Sequence, residues 1–123
     1  MSLALWVSSG ACGSGGEGAP AMSTARLESA AAQQRGREIF LAHCALCHGE
    51  EADGRGVRRA GLTGKPASFR SAAWRERADP DRLLRVLEHG VPGTSMPAWP
   101  SLSDDDKRDV IAYILSVAEK GGA

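Results

Sequence analysis

Aromatic side chains are scarce in this sequence, at 5% of its 123 residues. So few large flat side chains leave a small domain short of material for its own core. A flat cofactor can supply the missing apolar volume. Long hydrophobic runs are missing too: no stretch approaches the roughly 20 apolar residues that a spanning helix needs. Charge of one sign is not in excess, because fifteen basic side chains balance fifteen acidic ones. That balance removes the global basic signature of nucleic-acid binding, so no nucleic-acid partner is expected. Cysteine is rare, with three in the chain. Its rarity gives weight to where the three are placed.

Two of them form Cys44-x-x-Cys47-His48. Three chemistries use such spacing. A thioredoxin-like pair needs a β-α-β frame with its first cysteine at a helix N-terminus. Here the motif follows a helical segment and no strand is readable. A structural zinc site needs four ligands. Cys44, Cys47 and His48 offer three, with His43 or His89 as a fourth, but adjacent Cys47 and His48 suit one tetrahedron poorly. Covalent haem attachment uses every element: each thiol adds to one vinyl group, and the histidine ligates the iron. A sixth ligand is wanted for electron transfer, and Met96, between Ser95 and Pro97, supplies a thioether on a proline-bounded loop. The other reading of Met96, a core filler, fits poorly, since it lies on no helical face. Met22 falls in a polar segment and is a poor candidate.

Residues 1–12 read as a leader. A short apolar run, Leu3 to Val7, is followed by small residues and Cys12, as in secretory or lipoprotein signals. No positive charge precedes the run, and Ser9 stands where lipoprotein signals carry leucine. Acylated Cys12 would tether the protein to a membrane, and a leftover cysteine in an exported chain asks for such an explanation. Residues 13–26, rich in Gly, Ser and Ala, read as a flexible tether. The folded domain is assigned to 27–123.

Within it, residues 27–43 read as a helix running into the cysteine motif. Residues 49–78 read as a long loop with a short helical turn around Ser71 to Arg75, long enough to wrap something. Asp79-Pro80 opens a helix that places Leu83, Leu84 and Leu87 on one face and stops at Gly90. An ordered loop carries Met96. Ser103 caps the last helix, whose buried stripe is Val110, Ile111, Ile114, Leu115 and Ala118, with Gly121 and Gly122 ending it. The fold class is all-α with long loops. Nine basic residues lie between Arg55 and Arg85, and Asp104, Asp105, Asp106 and Asp109 cluster near the C-terminus. Most read as solvated surface; the sharper reading is a docking face.

The motif with GEEADGRG, then GVPGTSMPAW and LSDDDKRDVIAYILS, resembles a class I c-type cytochrome over roughly residues 30–120. The resemblance implies the cytochrome c fold, three to four helices wrapped around one haem c bound through two thioethers. Gly36, Phe40 and Tyr113 match a close crossing of first and last helices, and Trp99 matches an aromatic beside the haem. Relatives carry a proline after the motif, near the backbone acceptor for the histidine's second ring nitrogen. Val57 occupies that position here, and Pro66 lies further on. Arg58 and Arg59 are candidates for pairing a haem carboxylate or marking a docking face, and His43 is expected to point outward. The implied function is a single-electron carrier ligated by His48 and Met96, not an enzyme, serving a membrane oxidase, reductase or dehydrogenase. The implied location is periplasmic or otherwise extracytoplasmic. One alternative is a haem-based ligand sensor or peroxidatic enzyme with a labile sixth ligand; another keeps electron transfer but makes the chain a dedicated subunit of a larger oxidoreductase.

If Cys12 is acylated, Cys12→Ser releases the mature protein from membranes. An unchanged membrane fraction would contradict the lipid attachment.

Overall fold

The structure is a computed structural model describing residues 22–121. The leader, Cys12 and the tether up to residue 21 lie outside the described residues. Six α-helices and one 3-10 turn make up the regular structure of the described residues, with no strand: α1 Thr24–Glu28, α2 Ala30–His43, α3 Ala45–His48, the 3-10 turn Arg59–Gly61, α4 Ala72–Glu76, α5 Pro80–His89 and α6 Asp104–Lys120. The fold is all-α. Three of these helices are long; the others are single turns in the connecting chain. None among the described residues is long and apolar enough to cross a membrane.

Local chemistry sets the helix ends. Ser103 accepts from the Asp106 backbone N–H, and the Asp106 carboxylate accepts from the Ser103 N–H, closing a capping box. Two orphan donors are thereby satisfied, and three acidic residues face the positive end of the α6 dipole. Asp79 caps α5 with Pro80 in its first turn, and Gly90, at φ 69°, ends it. The expected turn near Ser71 is α4, capped by the Ser71 hydroxyl.

The single helix expected over 27–43 is two. It breaks at Ser29, whose N–H closes α1 on the Arg26 carbonyl while its hydroxyl caps α2 at Ala32. A serine offering both bonds competes with a continuous helix. Helical structure also begins ahead of Leu27, and Met22 packs against the core.

The long helices α2 and α6 cross with no side chain between them at residue 36. A Cβ there would overlap the Asp109 carbonyl and press on the Tyr113 side chain. Phe40, fully buried, meets Tyr113 with ring centroids 5.3 Å apart. These are the three residues that the resemblance assigned to the crossing. Val110, Ile111, Ile114 and Ala118 are buried as expected, while Leu115 is only half-buried.

Asp109 departs from the solvated acidic cluster read at the sequence level. It is 3% exposed. One carboxylate oxygen accepts from Arg26 Nε and Nη2 at 3.2 and 3.1 Å, and the other from Arg35 Nε at 3.0 Å. The bond raises the Arg35 pKa further. Charge-assisted bonds on both oxygens satisfy a carboxylate that water cannot reach, and they tie α1 and α2 to α6.

Gly36→Ala is expected to destabilise the protein by about 3 kcal/mol, the cost of forcing two packed backbones apart. Thermal unfolding measures it; an unchanged midpoint would show that the crossing is not close enough to exclude a methyl group.

Candidate haem site

Cys44 is at once the last cap of α2 and the first cap of α3. The single turn of α3 is held by Cys47 and His48 N–H groups donating to the Cys44 carbonyl at 3.2 and 2.9 Å. It stops at Gly49, where φ is 86°, a left-handed conformation that glycine adopts at little cost. The chain then folds back, with the Gly54 and Gly56 N–H groups donating to the His48 and Cys47 carbonyls at 2.7 and 3.1 Å. A side chain at Gly56 would collide with the Leu46 carbonyl. The glycines after the motif therefore serve close backbone contact.

His48 is fixed from several sides. Its Nδ1 lies 3.1 Å from the Ala67 carbonyl. A carbonyl only accepts, so Nδ1 carries the proton and Nε2 keeps a free lone pair. Phe69 stacks on the imidazole at 4.7 Å and 23°, and Trp74 meets Phe69 edge-on at 4.8 Å. Burial lowers the His48 pKa against the opposite pull of the Ala67 bond, favouring the neutral ring. Phe69 is tied in turn to the motif loop, its N–H donating to the Ala52 carbonyl at 2.9 Å.

Met96 sits on a braced loop. The Ser95 N–H donates to the Thr63 carbonyl at 3.0 Å, and the Thr63 N–H to the Ser95 hydroxyl at 2.8 Å. The Val91 N–H donates to the Met96 carbonyl, and the Trp99 N–H to Leu87 at the end of α5. Gly90 packs its backbone on residues 96–98, where a Cβ would approach the Met96 carbonyl to 2.8 Å.

Between the two loops lies a cavity of about 370 Å³. Cys44, Cys47, His48 and Met96 all line it, with apolar walls from Leu83, Val86 and Leu87 of α5 and Ile111 and Ile114 of α6. Burial pushes the Cys44 thiol up to about 12, with Cys47 adding to the rise. A thiol held so far from ionisation is a poor redox nucleophile, which argues against the dithiol chemistry. No cluster of three or more His, Cys, Asp or Glu among the described residues is arranged for a metal ion.

His43 is exposed, as expected, and it also borders the cavity and meets Trp99 edge-on at 5.7 Å. Arg58 and Arg59 do not line the cavity, whereas Lys65, Arg77 and Arg82 do. His89 lies outside the cavity wall, beside Glu88.

The family model described as cytochrome C oxidase, cbb3-type, subunit III matches residues 31–114. The chain belongs to that family. It is a class I, single-haem c-type cytochrome domain. Cytochrome c55X of Paracoccus denitrificans is 36% identical over 87 residues, 70% of this chain and 75% of the relative. The FixP subunit of a cbb3-type cytochrome c oxidase from Rhizobium meliloti is 31% identical over 68% of this chain, which spans only 27% of that subunit. A solved reducing HAO-like complex of Kuenenia stuttgartiensis aligns with TM-score 0.58 and 24% identity, over 68% of this chain and 41% of that one. It shares the fold.

The cofactor of this cytochrome domain is a covalently attached haem c. The cavity fits it. Two thiols, an imidazole with a free lone pair and a thioether border an apolar space with cationic side chains at its edge. Trp99, also on the wall, carries the one side-chain nitrogen or oxygen among the described residues that is buried without a protein partner, its Nε1.

Phe69→Ala removes the ring that stacks on His48 and is expected to cost about 3 kcal/mol. Thermal unfolding of the haem-loaded protein checks this, and a loss below about 1 kcal/mol would show that the stack does not hold the histidine.

Proposed function

We propose that this chain carries one electron at a time between redox proteins, with the haem attached through Cys44 and Cys47 and the iron ligated by His48 and Met96. The observation that carries the reading is the His48 geometry. Its Nδ1–H is engaged by Ala67, so Nε2 is the free donor, on the wall of a cavity that Met96 also borders. A hydrogen bond from the second ring nitrogen fixes the ring and raises its basicity as a ligand.

When bound, the haem supplies an iron that cycles between ferric and ferrous states. The chain's own residues do the rest. The Met96 loop, braced at Thr63 and Leu87, holds a neutral thioether donor in place. Neutral sulfur favours the reduced state and raises the potential. The apolar walls from α5 and α6 exclude water, which limits reorganisation when charge changes. With His48 and Met96 both holding the iron, no position on it would be open to a substrate, and the proposed role is carriage rather than catalysis.

The partners of this reading are redox proteins such as a membrane oxidase, reductase or dehydrogenase. Covalent haem attachment takes place outside the cytoplasm in bacteria, so the protein acts in the periplasm or another extracytoplasmic space. A lipid on Cys12 would keep it near a membrane partner.

Met96→Ala is expected to lower the reduction potential by well over 100 mV, as a weak oxygen ligand or an open position replaces sulfur. A redox titration of the variant measures it. A variant with the parent's potential would show that Met96 is not the ligand.

A further inference from the structure

The chain between the cysteine motif and α4 reaches the Met96 loop as well as His48. Ser95, next to Met96, exchanges two hydrogen bonds with Thr63, 32 residues away. Its N–H donates to the Thr63 carbonyl at 3.0 Å, and its hydroxyl accepts from the Thr63 N–H at 2.8 Å. Among the described residues, every other hydrogen bond of residues 90–98 ends within residues 86–98. The Thr94 hydroxyl, for example, donates to the Val91 carbonyl and accepts from the Met96 N–H, at 2.8 and 3.2 Å. Such local bonds shape the loop, and the Ser95–Thr63 pair is what hydrogen-bonds it to a distant segment. Gly64, at φ 82°, adds a packing contact there: a Cβ on it would lie 3.4 Å from the Thr94 side chain.

The other end of the same segment holds His48, whose Nδ1–H donates to the Ala67 carbonyl at 3.1 Å. Thr63, Gly64, Lys65, Pro66 and Ala67 all line the cavity, as do Ser95, Met96 and His48. The proline ring fixes one backbone torsion of this short span. The groups behind a metal ligand orient it and tune its hold on the metal. We propose that residues 63–67 brace both candidate iron ligands as one unit, with Ser95 the positioning residue that fastens the Met96 side, so that Met96 leaves the iron only as the Ser95–Thr63 pair opens. This rests on the ligand assignment above. Loss of the Ser95 hydroxyl leaves the Thr63 N–H without its partner and the loop with one of its two distant bonds.

The test is the rate at which the reduced, haem-loaded protein takes up carbon monoxide at high concentration, where binding waits on release of Met96. Ser95→Ala is expected to bind about fivefold faster, the weight of one hydrogen bond, and to weaken the sulfur-to-iron charge-transfer band of the ferric protein. Ser95→Thr, which keeps a hydroxyl, should match the parent. Ser103→Ala, which removes the α6 cap at a comparable cost in stability, should match it too. Coupling between two events is reciprocal, so Met96→Ala should speed amide hydrogen exchange at Thr63 about fivefold, read by NMR of the reduced protein. The parent's rate in Ser95→Ala, the alanine variant's rate in Ser95→Thr, an equal gain in Ser103→Ala, or unchanged Thr63 exchange in Met96→Ala would each overturn the brace. Carbon monoxide uptake by Met96→Ala separates this from the ligand assignment. If that variant binds no faster than the parent, Met96 is not a ligand, and the brace falls with that reading. If it binds at once while Ser95→Ala behaves as the parent, the ligand stands and the brace alone is wrong.

Discussion

The contact of α2 with α6 at Gly36 is the constraint on which the other elements depend. With no side chain there, the two backbones touch, and the end of α2 is fixed against the middle of α6. That end is Cys44, so the crossing positions the cysteine turn. The same stretch of α6 carries Asp109, which holds Arg26 of α1 and Arg35 of α2, and Ile111 and Ile114, which face the cavity. One point of close approach thus sets the turn, the apolar wall and the anchoring of the N-terminal helix.

The scarcity of aromatics becomes intelligible in this frame. Tyr113, Phe40, Phe69 and Trp74 follow one another in a chain of ring contacts, with His48 packed between Phe40 and Phe69. Trp99 closes the opposite side against His43. The few rings among the described residues hold the histidine and border the cavity. The interior they leave is completed by the haem, as befits a small domain that cannot fill its core with side chains alone.

Much of this was legible in the sequence because the signals are local. Helix caps at Ser71, Asp79 and Ser103 act within a few residues, and the cysteine turn is a single helical turn. Other features depend on where distant segments meet. The carbonyl of Ala67 reaches His48 only because the loop returns through Phe69 to Ala52; Pro66 hinted at the region, and nothing in the spacing named the acceptor. Nothing in the residues next to Phe69 marks it as the ring that stacks on His48. Asp109 belonged, by sequence, to an acidic run, and its burial follows from arginines 74 and 83 residues away. Lys65, Arg77 and Arg82 border the cavity because the loop before α4, the end of α4 and α5 all meet it, a consequence of tertiary packing that no periodicity encodes.

The central claim is the proposal that His48 and Met96, which both line the cavity, would together hold the haem iron. Optical titration of the reduced, haem-loaded protein with carbon monoxide tests it most directly. The account predicts a spectrum that barely changes, because His48 and Met96 would leave the iron no open position. Ready binding, with a shifted absorption band at low carbon monoxide, would contradict it and point to an iron open to diatomic ligands.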